Sequence, residues 1–423
     1  ERDEDGAEDR HGGRLRFVVM ETLQARCAIS GGGPAGMMLG LILARAGLDV
    51  VVLEKHADFF RDFRGDTIHP STVGVLGELG LREDFLGLPH TSIRTLDAVV
   101  DGTRLHPIDF GRLRPPDDFL VLAPQWDFLS FLADKAKAFP SFRLLMQAEA
   151  TDLIRDGDRV TGVVAQTPDG EARIAAALAV GADGRHSTIR ERAGFEVEDI
   201  GAPMDVLWLR LPRRPGDDDE VPLGRATAGA IFVQIPRGDY FQCGYVVPKG
   251  GADALKAKGL DAFKRSIETI APAMQGRTDG LASWDDVKLL TVAVDRLKTW
   301  CAPGVLCIGD AAHAMSPIGG VGINLAVQDA VATANLLWEP LKSGSLALAD
   351  LEAVQQRREW PTKATQAAQV FIQKRAIAPL LAGGTPRAPW PAKLVDRTPL
   401  LQGLTARLLG LGVRFEAVRS PAA

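Results

Sequence analysis

Ala25-Arg26-Cys27-Ala28-Ile29-Ser30 runs straight into Gly31-Gly32-Gly33-Pro34-Ala35-Gly36, and then into Met37-Met38-Leu39-Gly40-Leu41-Ile42-Leu43-Ala44. The first run reads as a buried strand, the glycines as a tight turn, and the third as the start of a helix reaching about Ala46. Leu48 to Leu53 reads as a second parallel strand ending at Glu54, about 20 residues beyond the turn as a dinucleotide fold requires. Gly31 allows the chain to turn out of the strand. Gly33 lets backbone approach a pyrophosphate, and Gly36 lets helix pack on strand. Pro34 and Ala35 open the helix, whose unpaired N–H groups and positive dipole end suit phosphate oxygens. Glu54, with Lys55 beside it, is placed to meet an adenosine ribose. This unit binds a dinucleotide but does not by itself distinguish NAD from FAD.

Working outward, the composition is that of an ordinary globular enzyme. The chain has 423 residues, 46% hydrophobic and 24% charged, long enough for two domains or one composite domain. A net charge of -5 gives no electrostatic reason to expect a nucleic-acid partner. Cys27, Cys243, Cys301 and Cys307 form no Cys-x-x-Cys pair, so they read as reduced thiols of a cytoplasmic protein, with no metal site. No apolar stretch reaches the roughly 20 residues of a membrane span. Residues 1–16 are dense in Glu, Asp, Arg and Gly with no apolar core, which excludes a secretory signal. They read as an added or upstream-translated tail before Met20.

The middle of the chain changes character. Met204 to Leu211, Ala230 to Pro236 and Tyr240 to Val247 are strand-like, joined by turn-rich segments, and Arg213 to Leu223 is an acidic, Pro-Gly-containing loop. Val305 to Ile308 is a further buried strand, followed by a helix over about 322–337. Leu348 to Ala376 is helical with an expected interruption near Pro361, Ala382 to Pro391 is a linker, and Leu400 to Leu411 is a last helical piece. The fold class expected is α/β: a Rossmann-like nucleotide-binding domain with an inserted mixed or antiparallel β-sheet substrate domain and C-terminal helices. The expected division is a disordered or added tail (1–19), then a first nucleotide-binding piece (20–95) and a substrate-side segment with a helix (96–144). A second nucleotide-binding piece (145–200), the substrate sheet (201–298), a third nucleotide-binding piece (299–345) and the C-terminal helices (346–423) follow.

Two later segments complete the first. One is Val180-Gly181-Ala182-Asp183-Gly184-Arg185-His186-Ser187-Thr188-Ile189-Arg190. The other is Gly309-Asp310-Ala311-Ala312-His313-Ala314-Met315-Ser316-Pro317-Ile318-Gly319-Gly320-Val321-Gly322-Ile323-Asn324. In this order and spacing, over about residues 24–375, the three resemble the class A FAD-dependent aromatic monooxygenases, the family with the para-hydroxybenzoate hydroxylase fold and glutathione-reductase-type FAD binding.

That resemblance implies FAD as cofactor, NADH or NADPH and O2 as co-substrates, and oxygen transfer to a phenol-like small molecule through a flavin C4a-hydroperoxide. It implies that Asp183 and Arg190 lie near the pyrophosphate and handle NAD(P)H. Asp310 binds the ribityl hydroxyls, and Pro317 lies beside the reactive carbon of the flavin. The turn through Gly320, Val321, Gly322, Ile323 and Asn324 presents N–H groups to the ring edge, with Gly309 opening the motif. Val321 departs from the Gln or Lys often found there. Arg64 matches a basic residue that meets the pyrophosphate, and Gln125 a polar residue before a helix. Alternation along the inserted strands offers Trp208 and Arg210, Phe232 and Gln234, and Tyr240 and Gln242 as pocket residues. Tyr240 and His69 are the candidate bases, His313 a loop-fixing residue. A monomer or homodimer is expected.

Three rivals share the fold or the cofactor. A flavin halogenase usually carries Trp-x-Trp-x-Ile-Pro, and the nearest match, Ile231 to Pro236, lacks both tryptophans. A prenyl-chain reductase would consume no oxygen, and a non-catalytic FAD-binding protein would bind flavin without turning over.

Overall fold

The computed structural model describes residues 21–60, 67–217, 222–384 and 390–423. Its first layer is an eight-stranded sheet. The strands Val305–Cys307, Gly170–Gly181, Glu21–Ser30, Val50–Glu54 and Phe142–Met146 lie side by side and parallel. Their register is what positions a site: Ser30 pairs with Gly181 and with Leu53, and Gly181 pairs with Cys307. The loops after three strands far apart in sequence therefore leave the sheet at one edge, the carboxyl ends, where open α/β sheets bind their ligands. Arg159–Thr167 and Glu149–Asp156 extend the sheet antiparallel, an addition not expected from the sequence.

The Pro34–Arg45 helix is apolar on nearly all sides, and Met37, Met38, Leu39, Ile42 and Leu43 are fully buried between the sheet and the Gly322–Ser343 helix. On the far flank, Leu348–Ile372 runs unbroken through Pro361. The expected interruption does not occur. Pro361 removes one backbone bond, but Arg358, Thr362, Gln366 and Gln369 on the same face are buried, and three of them are anchored by hydrogen bonds to the body. Tertiary anchoring outweighs the lost bond.

The second layer is a seven-stranded sheet in the order Lys288–Leu290, Met204–Pro212, Tyr240–Pro248, Ala230–Pro236, Gly224–Thr227, Thr95–Val100, Thr103–Asp109. All its pairs are antiparallel except Gly224–Thr227 on Thr95–Val100. One face, with Leu207, Leu209, Phe232, Cys243 and Tyr245, is covered by Phe263 and Ile267 of the Leu260–Ile270 helix. The other face, with Trp208, Ile231, Val233 and Ile235, looks toward Ile318 on one side and toward Ala406 and Leu409 on the other. Those last two belong to the C-terminal helix Pro399–Gly410, which rests on the Thr103–Asp109 strand through Thr405 Oγ1 to the Pro107 carbonyl, 2.6 Å. Among the described residues no helix is long and apolar enough to cross a membrane, and the four cysteines are buried and unpaired.

Candidate active site

The three sequence motifs meet at the sheet edge. The Ala182 amide donates to the Ser30 carbonyl at 2.8 Å, and the Ile308 amide to the Gly181 carbonyl at 2.9 Å. Gly309 sits between two helix starts: a methyl placed there would lie 3.1 Å from Ala35 Cβ and 3.5 Å from Ala326 Cβ. At Gly36 the approach of helix to turn is closer still, since a methyl would fall 1.9 Å from the Gly31 carbonyl oxygen. Only glycine fits.

Whether this edge suits FAD can be judged from what it leaves open. The Pro34–Arg45 helix has no side-chain cap at Gly33 and no acidic residue in its first turn, and a methyl on Gly33 would meet nothing nearer than the Ala182 oxygen at 4.0 Å. The Gly322–Ser343 helix likewise starts without a side-chain cap, and a methyl on Gly322 would meet nothing within 4 Å. Two uncapped helix N-termini, with their dipoles, thus face open space, as anionic phosphates and an electron-rich ring edge require. Glu54 lies under the turn: Gly32 donates to its Oε2 at 3.1 Å, and the His56 ring lies 2.5 Å from its Oε1. Asp183 Oδ2 accepts from Ser30 Oγ at 3.3 Å and the Ile189 amide at 3.2 Å, while Oδ1 is buried without a partner among the described residues. Burial raises the Asp183 pKa against the bonds from Ser187, Ile189 and Ser30. These features fit the cofactor.

The loop carrying Pro317 is held from three sides. Gln369 Nε2 donates to the carbonyls of Ser316 and Ile318, both at 2.9 Å, while its Oε1 accepts from the Ser316 amide at 3.2 Å. The residues flanking half-buried Pro317 are therefore clamped by one side-chain amide. Thr67 Oγ1 donates to the Gly320 carbonyl at 2.9 Å, and a methyl on Gly320 would collide with that hydroxyl at 2.1 Å. Asn324 Oδ1 accepts from both Ser71 and Thr72. Val321 and Asn324 border a small cavity closed by Leu408, Leu411 and Val413.

His69 is 1% exposed and donates through Nε2 to the Gly320 carbonyl at 3.1 Å. Burial outweighs the surrounding carbonyls of Gly320, Gly319 and Leu409 and lowers its pKa to about 4. The ring, expected as a substrate-side base, is thus tied to the loop backbone as a clamp.

Behind the Gly-Asp motif lies a buried charged network that sequence reasoning missed. Asp329 Oδ2 accepts from the Gly309 amide at 3.1 Å and from His313 Nε2 at 2.6 Å, and its Oδ1 accepts from Arg358 Nε at 2.9 Å. Burial pushes the Asp329 carboxyl up, but His313 and Arg358 more than offset it and hold the group below the ordinary carboxylate range. His313 thus fixes the loop. The sequence signal for Arg358 and Gln369 was a polar face at helical spacing on Leu348–Ile372, which resembles a solvated surface.

The other predicted residues are scattered. Arg64 lies outside the described residues. Lys55 is surface-exposed, 3.8 Å from Glu149. Gln125 begins the Gln125–Ala136 helix. The Arg190 guanidinium turns toward Asp295, 3.8 Å away, and the Arg185 carbonyl. On the seven-stranded sheet, Trp208, Arg210, Tyr240 and Gln242 share the face toward the loop, with Arg210 over the Tyr240 ring at 4.9 Å. Gly244 lies opposite Trp208, and a methyl there would press on the indole at 3.2 Å, so the ring lies flat on the sheet. Phe232 and Gln234, expected with them, lie on the other face: Phe232 is buried against the Leu260–Ile270 helix, and Gln234 stands opposite Cys243. Among the described residues no group of three or more His, Cys, Asp or Glu could hold a metal ion.

Comparison with known proteins agrees with this geometry. Residues 24–368 match the family described as "FAD binding domain". The chain is 33% identical over 385 residues, 90% of its length and 91% of the other, to 6-methylpretetramide 4-monooxygenase of Streptomyces rimosus. It is 28% identical over 328 residues to dialkyldecalin synthase of Streptomyces rugosporus, covering 74% of this chain but only 64% of that longer protein. The solved structure of OxyS anhydrotetracycline hydroxylase from Streptomyces rimosus superimposes with a TM-score of 0.70 at 24% identity, over 93% of this chain and 77% of that one, a likeness of fold. The chain belongs to the FAD-binding-domain family of FAD-dependent aromatic monooxygenases, with FAD as its cofactor.

Proposed function

We propose that this protein hydroxylates a phenol-like ring of a small aromatic molecule in the cytoplasm, with NADH or NADPH as reductant and O2 as the source of the oxygen. One observation carries the reading. The apolar sheet face bearing Trp208 and Ile231 packs toward Ile318 of the clamped loop, so a flat ring seated on it faces the flavin side of the fold. Bound at the sheet edge, FAD supplies hydride acceptance and oxygen activation.

The chain's own residues do the rest. Gly31 to Gly36 and the following helix start hold the pyrophosphate, Glu54 the ribose and Asp310 the ribityl chain. The amides from Gly320 to Asn324, at an uncapped helix N-terminus, stabilise negative charge at the ring edge. Trp208, Ile235 and Leu409 exclude water from the reacting ring. Arg210 and Tyr240, stacked on the same face, are placed to orient a substrate oxygen. The relative at 33% identity is named for a 4-monooxygenation of 6-methylpretetramide, which supports an aromatic small-molecule substrate here. Four buried, unpaired thiols support a reducing compartment.

The test is NADH and NADPH oxidation with parallel oxygen uptake by the FAD-loaded protein. The panel is phenols, anilines, aromatic acids and 6-methylpretetramide. Substrate-stimulated oxidation with a hydroxylated product is expected. Flavin reduction without oxygen uptake would instead point to a reductase, and no reduction with any ring to a non-catalytic flavoprotein.

A further inference from the structure

The last residues of the chain do not trail from the fold but return to the cofactor motif. After the Pro399–Gly410 helix the backbone runs along the Gly322–Ser343 helix. There the Glu416 amide donates to Gln328 Oε1, Asn335 Nδ2 donates to the Ala417 carbonyl at 2.8 Å, and the Arg419 amide donates to Asn335 Oδ1 at 2.7 Å. Glu416 is 4% exposed, and its carboxylate receives Arg357 at 2.7 and 2.9 Å and Arg358 Nη1 at 3.3 Å. Arg358, 1% exposed, also donates to the Arg414 carbonyl at 3.3 Å and, through Nε, to Asp329. Asp329 in turn holds the Gly309 amide and His313. At the other end, a methyl on Gly319 would strike Leu409 Cδ1 at 2.8 Å. The segment thus touches the flavin loop directly and the Gly-Asp motif through two buried charges.

We propose that residues 409–418 are a clasp on the FAD site, with Glu416 and Arg358 as positioning residues that hold the Gly309–Asp310 turn in its FAD-binding shape through Asp329. Removing Glu416 takes from buried Arg358 one of its two carboxylate partners and leaves it on Asp329 alone, a loss that costs more in the interior than at a surface. Because coupling is reciprocal, FAD binding must tighten the clasp by the same factor by which the clasp tightens FAD.

The experiment measures FAD affinity of deflavinated protein by flavin fluorescence, with amide hydrogen exchange of residues 413–420 followed with and without FAD. Glu416→Ala is expected to raise the FAD Kd at least tenfold while far-UV circular dichroism stays native. Arg358→Lys should recover part of the affinity lost in Arg358→Ala. Asn335→Ala, which cuts the clasp's outer stitches without touching Asp329, should change the Kd less than threefold. In the unsubstituted protein FAD should slow exchange over 413–420. A Glu416→Ala protein that unfolds more easily yet binds FAD with unchanged Kd would overturn the proposal, as would exchange over 413–420 that ignores FAD. If Arg358→Ala does not fold, the Glu416 and exchange arms still decide.

Discussion

His69 gives the sharpest test of how the flavin loop is held. Its ring is buried, donates to the Gly320 carbonyl, and has a pKa lowered from 6.5 to about 4. A folded-state pKa below the unfolded one means the unfolded chain binds more protons between these values. The stability is therefore fully present above about pH 6.5 and lost as pH falls toward about pH 4. The displacement corresponds to about 3 kcal/mol over the whole window, of which about 2 kcal/mol is lost between about pH 7 and about pH 5. Other groups titrate there too, and Asp183, Glu78 and Asp117, all raised chiefly by burial, push in the opposite sense. They cancel in the difference between the protein and His69→Gln, which keeps a donor for Gly320 but cannot titrate. The assay is urea unfolding of both proteins across that range, read by tryptophan fluorescence. The unsubstituted protein should lose about 2 kcal/mol more than the variant between about pH 7 and about pH 5. Equal losses in the two would refute the argument that His69 is buried neutral.

Three further outcomes follow from the site. Gly36→Ala, whose methyl would lie 1.9 Å from the Gly31 oxygen, should yield protein without flavin absorbance after purification, because helix and turn must separate. Asp310→Ala should likewise lose stable FAD while keeping a native circular-dichroism spectrum, and normal flavin content in that variant would sink the ribityl assignment. Trp208→Ala should keep its flavin but raise the substrate KM about tenfold, as expected when a buried ring contact of about 1.5 kcal/mol is removed. Michaelis kinetics with whichever ring stimulates NAD(P)H oxidation provides the check.

What the sequence disclosed tracks how strictly geometry dictates residue type. The Gly31–Gly36 turn and the Gly319–Asn324 loop were legible because few residues survive a methyl-sized clash or an uncapped helix start. The strand Ala230–Pro236 was found to the residue, and Met204–Pro212 and Tyr240–Pro248 to within one. The Thr95–Val100 and Thr103–Asp109 hairpin was not, since its burial is partial and irregular and its register shifts between Leu96 and Ala98. The residues that hold the site from behind were hidden for another reason. Asp329, Arg358 and Gln369 are polar side chains on buried faces, and hydrophobic periodicity assigns polar faces to water.

The seven-stranded sheet shows where alternation stops being informative. Period two states which residues share a face, and it did so rightly for Trp208 with Arg210 and for Phe232 with Gln234. It does not state which face looks at the cofactor. On a sheet with one wet side polarity would decide, but here both faces are covered, one by the Leu260–Ile270 helix and the other by the flavin loop and the Pro399–Gly410 helix. Phe232 and Trp208 are then equivalent in sequence and opposite in space. The choice is made by a helix inserted between two strands of the sheet, Tyr240–Pro248 and Lys288–Leu290, and by another from the end of the chain. If the ring binds on this face as proposed, Leu409 and Ala406 border it together with the strands, so changes in the C-terminal helix should alter substrate choice, read as KM across the ring panel, while the FAD motifs stay intact.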